Sequence, residues 1–437
     1  MPRLVLVLVP VLLGLGATPA RAAPLARGPV VQHPTATGAT ILWETATAHA
    51  DVLEVWPADP PAAPRQRRVD PASTTRHRVT LSGLQTSSAY RYAVVDYTGA
   101  RHEGAFRTAP RPGEPFTFLV YGDCRLSYER QRAVVDALRA EPARFGVHTG
   151  DFVEDGAVDA HWDRFFQIER PLLRRLPVYP VLGNHELVSS YPRGLENFRR
   201  GFHVPEGGPL RGVNYAFTQG NARFVVLDSN APFVGSRQTA WAEGELRRAA
   251  ADPALRHLFV FVHHSPYASG PHGDNAELLR SGLVRTMAEV GVDFTFGAHD
   301  HFYERGEVDG LRYVVTAGCG APLYKRRTFL PRTAVWEATL HHVRVTVDGD
   351  DVELTAVRPD GSLVDHLRLR KHPPAAGAAP RFTAVDVRPP PVAAATPRPP
   401  ARPARPGRPE PASLWIVGGL IFLGVVAFVI AHRLARP

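Results

Sequence analysis

Two periodicities divide the chain. Between residues 26 and 110, apolar and polar positions alternate in short runs: Ala39-Thr40-Ile41-Leu42-Trp43, Val52-Leu53-Glu54-Val55-Trp56, Arg78-Val79-Thr80-Leu81 and Tyr90-Arg91-Tyr92-Ala93-Val94-Val95, with turn residues between them. A period of two marks half-buried strands, so this region is expected to be a small all-β domain with Trp43 plugging its core between two sheets. After Pro110-Arg111-Pro112-Gly113 the pattern changes. Apolar runs over Phe116–Tyr121, Phe145–Thr149, Val178–Leu182, Phe224–Leu227, Leu258–Val262, Val292–Phe296 and Tyr313–Thr316 read as strands. Amphipathic stretches over Glu129–Arg139, Asp159–Leu173, Thr239–Ala250 and Glu277–Glu289 read as helices. Alternating strand and helix predict an α/β domain over residues 114–370. Its last part, 336–370, returns to strand-like alternation and is expected to complete a second sheet.

Both ends carry targeting patterns. Residues 1–22 hold Arg3, an apolar run from Leu4 to Gly16, and Ala20-Arg21-Ala22, the layout of a signal peptide cleaved after Ala22. Residues 373–412 are rich in Pro, Ala and Arg and are expected to form an extended, partly polyproline linker. Leu414–Ala431 is uncharged and apolar, near the minimum length for a transmembrane helix, with Trp415 at one edge and His432, Arg433 and Arg436 beyond the other. The positive flank predicts a single-pass membrane protein whose catalytic domain faces outside the cytoplasm.

Composition narrows the picture. Hydrophobic residues make up 44% of the 437 and charged ones 21%, which excludes a chain disordered throughout. The formal charge is +9, nearly all from Arg, with Lys only at 325 and 371. Arg is scattered rather than gathered in one patch, so no nucleic-acid partner is expected. A mildly basic surface favours anionic substrates. Cys124 and Cys319 are too few for a disulfide scaffold. In an exported chain they are able to form one bridge, but spacing does not pair them.

The chemistry sits where the strands end. Five apolar runs lead into Gly122-Asp123, Gly150-Asp151, Gly183-Asn184-His185-Glu186, His263-His264 and Gly297-Ala298-His299-Asp300-His301. In α/β folds ligands bind at the carboxyl ends of strands, so these residues are expected to converge on one sheet edge. Asp, Asn and His without thiolate suit Zn, Fe or Mn. There are too many for one ion and enough for two, and two metals are able to share a carboxylate and a hydroxide.

In order, Asp123…Gly150-Asp151…Gly183-Asn184-His185-Glu186…His264-x-Pro266…His299-x-His301 resembles the calcineurin-like metallophosphoesterases. His299-Asp300-His301-Phe302-Tyr303-Glu304-Arg305 is similar to the purple acid phosphatase branch. Leu84…Tyr90-x-Tyr92…Phe106-x-Thr108 resembles a fibronectin type III domain, with Tyr90 as the corner tyrosine whose hydroxyl bonds back to the backbone. The resemblance implies a four-layer αββα sandwich with two metal ions at its edge. It implies Asp151 as the bridging ligand, Asp123 and His301 at the first ion, and Asn184, His264 and His299 at the second. His185 is implied to protonate the leaving oxygen or hold the phosphate, with His272 as a second candidate acid. Two positions depart from the family. Glu154 stands where the purple branch has tyrosine, and Arg125 stands where many other relatives have histidine. Arg125 is a candidate phosphate clamp, and Glu154 a candidate ligand of the first ion. His263, adjacent to His264 but on the other side of a strand, competes with it as ligand. The implied activity is hydrolysis of phosphate esters, with monoesters favoured, by a hydroxide bridging the two metals. The alternatives are a phosphodiesterase or nucleotide hydrolase on the same site, or a surface binding module with a decayed site.

Overall fold

The computed structural model describes residues 25–59, 66–372 and 380–386. The proposed signal peptide, most of the linker and the proposed membrane span lie outside the described residues. Among those described, no helix is long and apolar enough to cross a membrane.

The N-terminal region is built from β1 (Arg27–Gln32), β2 (Ala39–Pro57), β3 (Gln66–Leu81), β4 (Ala89–Val95) and β5 (Arg101–Arg107). The strands form one continuous five-stranded hydrogen-bonded network in the order β1-β2-β4-β5, with β3 also on β2, folded over on itself as the expected small β-sandwich. The 19-residue β2 makes this possible. Its first half pairs with β1 and its second half with β4, while β3 follows both. Register shifts between Glu44 and Asp51 separate the halves, and such irregularities bend a strand. The apolar faces then close on Trp43, Leu53, Tyr92 and Phe106. Trp43 is buried as expected, its Nε1 donating to Asp51 Oδ2 at 2.7 Å and its ring stacked on His77. The Tyr90 hydroxyl accepts the Gln85 amide at 2.8 Å, the corner contact expected of a fibronectin-like domain.

The larger region runs through β6 (Phe116–Tyr121), α1 (Tyr128–Ala140), β7 (Phe145–His148), α2 (Asp159–Leu173), β8 (Val178–Pro180) and α3 (Tyr191–Gly201). It continues with β9 (Tyr215–Gln219), β10 (Ala222–Val226), α4 (Arg237–Ala251), β11 (His257–His264), α5 (Ala276–Arg280), α6 (Leu283–Glu289) and β12 (Phe294–Ala298). It ends with β13 (Tyr303–Val308), β14 (Leu311–Thr316), β15 (Thr333–Glu337), β16 (His342–Asp348), β17 (Asp351–Val357), β18 (Leu363–His372) and β19 (Arg381–Asp386). The single helix expected over 277–289 is broken into α5 and α6, because Gly282 takes φ +83° and stops the first before starting the second. Residues 381–386, read as linker, instead form an edge strand on β18. Phe382 gives this short strand an apolar anchor against the core and under the guanidinium of Arg312.

Two seven-stranded sheets result, in the orders β8-β7-β6-β16-β17-β18-β19 and β9-β10-β11-β12-β14-β13-β15. Inward-facing Phe118, Phe145, Phe224, Phe259, Phe261 and Phe296 fill the space between them. Phe118 meets Phe224 and Phe259 edge-on with centroids 5.2 and 5.1 Å apart, an arrangement aromatic quadrupoles favour. On the outer faces, Leu119 and Tyr121 pack with Val134, Leu138, Trp162 and Leu172 of α1 and α2. Val260 and Val262 pack with Ala242, Leu246 and Met287 of α4 and α6. The layers are helix, sheet, sheet, helix. The small domain is tied to α2 as well. Arg170 donates to the carbonyls of Gly28 and Leu25 at 2.9 and 3.0 Å, and the Tyr92 hydroxyl donates to the Arg174 carbonyl at 3.0 Å.

Candidate active site

The parallel strands β6, β7 and β8 in one sheet, and β11 and β12 in the other, end at the same edge. Their next residues therefore meet. Asp123, Asp151 and His299 all take left-handed backbone angles, φ +58°, +55° and +70°. Side chains other than glycine are uncommon there, and the cost is sustained only where surrounding contacts fix the turn. Those contacts are present. The Asp123 amide donates to the Gly150 carbonyl and the Cys124 amide to the Asp151 carbonyl, both at 3.0 Å. A Cys124–Cys319 disulfide joins the Asp123 loop to the loop after β14, which pairs the two cysteines that spacing left unpaired.

Glu186 organises the centre, a role the sequence reading did not give it. Fully buried, its Oε2 accepts the amides of Gly183 and Asp151 at 2.8 and 3.0 Å, and its Oε1 accepts those of Phe152 and Val153 at 2.9 and 3.4 Å. Burial and the Asp151 carboxylate raise its pKa, against the opposing pull of the Gly183, Asp151 and Val153 amides. Gly183 is obligatory in this turn, since a Cβ there would overlap the Asp151 amide and carboxylate.

Three acceptors converge beside Asp151. His263 is fully buried, and its Nδ1 meets the Thr149 carbonyl at 2.8 Å. That carbonyl requires the ring proton on Nδ1, so a neutral His263 presents a lone pair at Nε2. Nε2 lies 3.0 Å from Asn184 Oδ1 and 3.3 Å from Asp151 Oδ1. Three lone-pair-bearing atoms facing one another in a buried place call for a cation. Ligand atoms of His263, His264 and His299 all lie within 4.8 Å of one another, as do those of Asp123, Asp151 and His263. Burial, with the neighbouring His263, lowers the pKa of His264 to about 3 and that of His299 further still. Both imidazoles are thus kept neutral and able to ligate. His263, the competitor of His264 in the sequence, belongs to both groups, whereas His264 belongs to one and binds Ser229 Oγ through Nδ1 at 2.6 Å. The donor set fits one divalent cation of the Zn, Mn or Fe type.

The first expected metal position is different. His301 Nε2 stands 3.2 Å from Asp123 Oδ1, its Nδ1 meets the Pro322 carbonyl at 2.7 Å, and its ring is stacked on Tyr324 at 4.1 Å. Arg125 reaches into the same place. Its Nε donates to Asp151 Oδ2, its Nη1 to Glu154 Oε2, and its Nη2 meets His301 Nε2, each at 3.3 Å. The side chain is 9% exposed. Arg125, the candidate phosphate clamp, is thus turned inward onto protein acceptors.

His185 follows Asn184 on a short 3-10 turn, His185–Leu187. Its Nδ1 meets the Glu154 carbonyl at 2.8 Å, and its Nε2 faces Asp151 Oδ2 at 3.9 Å. His272 is exposed, its ring centroid 4.0 Å from that of His299. All eleven residues named from the sequence for catalysis or metal binding thus reach one edge of the sandwich.

Residues 116–303 match the calcineurin-like phosphoesterase family model. Acid phosphatase type 7 of Mus musculus is 27% identical over 261 residues, 52% of this chain and 56% of that protein. Purple acid phosphatase 23 of Arabidopsis thaliana is 23% identical over 265 residues, 52% of this chain and 57% of that one. The chain spans somewhat over half the length of these curated relatives. The structure of purple acid phosphatase PPD1 from yellow lupin superposes with a TM-score of 0.66 at 17% identity, covering 79% of this chain and 74% of that one, a likeness of fold.

Proposed function

We propose, from the premise that residues 116–303 form a calcineurin-like phosphoesterase domain with purple acid phosphatase homologues, that this chain is a metal-dependent hydrolase of phosphate esters. The observation that carries the reading is the buried convergence of Asp151 Oδ1 and Asn184 Oδ1 on His263 Nε2, at 3.3 and 3.0 Å. Asp151, Asn184, His263 and His299 would hold the cation, with His264 and Asp123 within reach. Bound there, a divalent ion supplies Lewis acidity toward phosphoryl oxygen and toward water. A binuclear form of the site needs a second cation between Asp123 and His301, where Arg125 now lies.

The chain's own groups do the rest. His185 keeps its Nδ1 proton on the Glu154 carbonyl and offers Nε2 at the mouth of the site, where the doubly protonated ring would give its Nε2 proton to a leaving oxygen and become neutral. His272 offers a second imidazole on the side of His299. Tyr324, stacked on His301, covers that ring from water. Phosphomonoesters are favoured, since the similar curated proteins are named acid phosphatases. A phosphodiester or nucleotide substrate on the same site is the competing reading.

Export and anchoring belong to the same proposal. The apolar segment 4–16 and the uncharged run 414–431 suit a leader and a single-pass anchor. A disulfide within the domain suits an oxidising compartment.

The test is turnover of mono- and diesters by protein stripped with chelator and then given Zn, Mn or Fe, beside an Asp151→Ala variant. Activity should vanish on stripping and return with metal, and the variant should lose metal and turnover together. Full turnover by the stripped protein, or by Asp151→Ala, would sink the reading.

A further inference from the structure

We propose that this is a one-metal centre, in which the Arg125 guanidinium stands permanently in the position of the first cation. The inference rests on the phosphoesterase reading and concerns how many ions that site holds.

The argument is one of lone pairs and charge. A cation between Asp123 and His301 would need Asp151 Oδ2 and His301 Nε2 as ligands. Both already receive N–H groups of Arg125 at 3.3 Å, while its remaining terminal nitrogen holds Glu154 Oε2 at the same distance. The Pro322 carbonyl takes the Nδ1 proton of His301 at 2.7 Å, so Nε2, the nitrogen that Arg125 meets, is the only one left to ligate a metal. Guanidinium does not give up its proton in proteins, so it is unable to become a ligand. Nor is it placed to step aside. It is 9% exposed and fixed at three corners by groups from two segments, Asp151 and Glu154 in the loop after β7 and His301 after β12.

Charge points the same way. Asp123 and Asp151 are both fully buried. Arg125 neutralises one of these two negative charges, and one divalent ion more than offsets the other. A second divalent ion would share a low-dielectric pocket with the first ion and with a fixed guanidinium, a repulsion little screened there. At the other position the side-chain atoms of Asp151, Asn184 and His263 that face one another meet no cationic side chain; Asp151 Oδ1 takes only the His185 backbone amide, at 3.0 Å. Asp123 Oδ1 is buried with His301 Nε2 near it, at 3.2 Å, and Asp123 shares a possible ligand cluster with Asp151 and His263. Its carboxylate is therefore within reach of the single ion. A guanidinium in this place gives electrostatic support to a developing negative charge that no chelator removes.

The experiment counts ions. Purified protein saturated with Zn or Mn and freed of excess is analysed for metal, beside Arg125→Ala, Arg125→His and Arg125→Lys, with Mn spectra recorded by electron paramagnetic resonance. Wild type should hold about one equivalent and give the signal of an isolated ion, and Arg125→His should hold about two with the signature of a coupled pair, as ions about 3.5–4 Å apart require. Arg125→Lys, which keeps the charge, should stay at one and also serves if the smaller replacements fail to fold. Two equivalents in wild type would overturn the inference and leave the phosphoesterase reading standing. One equivalent in folded Arg125→His would overturn it also. No bound metal in wild type would overturn both.

Discussion

Glu186 offers the sharpest test of how the site is held. In Glu186→Gln the side-chain length is kept, but one carboxylate oxygen becomes an NH2 group. Whichever oxygen is replaced, two backbone amides lose their acceptor: Gly183 and Asp151 on one side, or Phe152 and Val153 on the other. A hydrogen bond to a charged group is worth about 1.5–3 kcal/mol, and a donor left facing a donor in a buried place costs about 1–3 kcal/mol more. Since the Val153 contact is long at 3.4 Å, Gln should orient its NH2 toward the Phe152 and Val153 amides, which is the less costly side. The expected loss is about 3–5 kcal/mol. It should appear as a lower midpoint in urea or heat, accompanied by weaker metal binding, because Asp151 and Asn184 flank the amides that come loose. Both readouts are taken on one preparation by thermal melts with and without added Zn. A variant that melts within a degree of wild type and keeps its metal affinity would refute the view that this carboxylate, rather than the metal, sets the loop geometry.

Three further outcomes follow from the structure. His263→Ala and Asn184→Ala should each weaken metal binding by more than the roughly 10–100-fold typical of an outer partner, and His264→Ala by less; the reverse order in competitive chelator titrations would return the ligand role to His264. Asp293 is held down to about 2 against its burial by the Lys371 charge and by His257. Its folded pKa lies below the unfolded value near 3.9, so about 2–3 kcal/mol of stability is present above pH 4 and lost as pH falls toward 2. The stability gap between wild type and Lys371→Met should therefore narrow over that window, and a gap constant with pH in acid unfolding curves would refute the pairing. Phe118→Ala, at the centre of the inter-sheet aromatic cluster, should cost about 3–5 kcal/mol in unfolding experiments without changing which metal binds; a loss below about 1 kcal/mol would mean that the two sheets are not held by that cluster.

The sheet edges were the most legible part of the chain. Runs such as Phe118–Tyr121 and Phe259–Val262 are apolar because each strand is covered on both faces, and the polar residue that ends each run has only the edge left to occupy. Helix α2 was legible to the residue, Asp159–Leu173, since Trp162, Phe165, Phe166 and Leu172 keep one face apolar and Pro171 comes too late to break it. Helix α3 was not legible. Among its eleven residues the buried face consists of Gly194, Leu195, Asn197, Phe198 and Gly201, and glycine and asparagine carry no apolar signal. Asn197 is buried because its amide donates to the Gly156 carbonyl at 3.0 Å, a partner about forty positions away that no local pattern announces. The bending of β2 into both halves of the small domain depends on pairing with three strands, and local alternation is silent on that. His263 and His264 were separable only in space. Alternation puts them on opposite sides of β11, but the Thr149 carbonyl, supplied by the other sheet, decides which nitrogen of His263 faces the site. Arg125 shows the same limit, since its residue type suggested an outward clamp and only the surrounding acceptors turn it inward.

The bridge between Cys124 and Cys319, 195 positions apart, has a practical consequence. Of the side chains around the cation position, all but Asp123 lie within the enclosed stretch. A protease that cuts at an exposed point inside it, near Val188 or Val234, would leave both pieces fastened together and the centre assembled. Such nicked molecules would run as one band on a gel without reductant and as two with it, so an undivided band is no proof of an uncut chain.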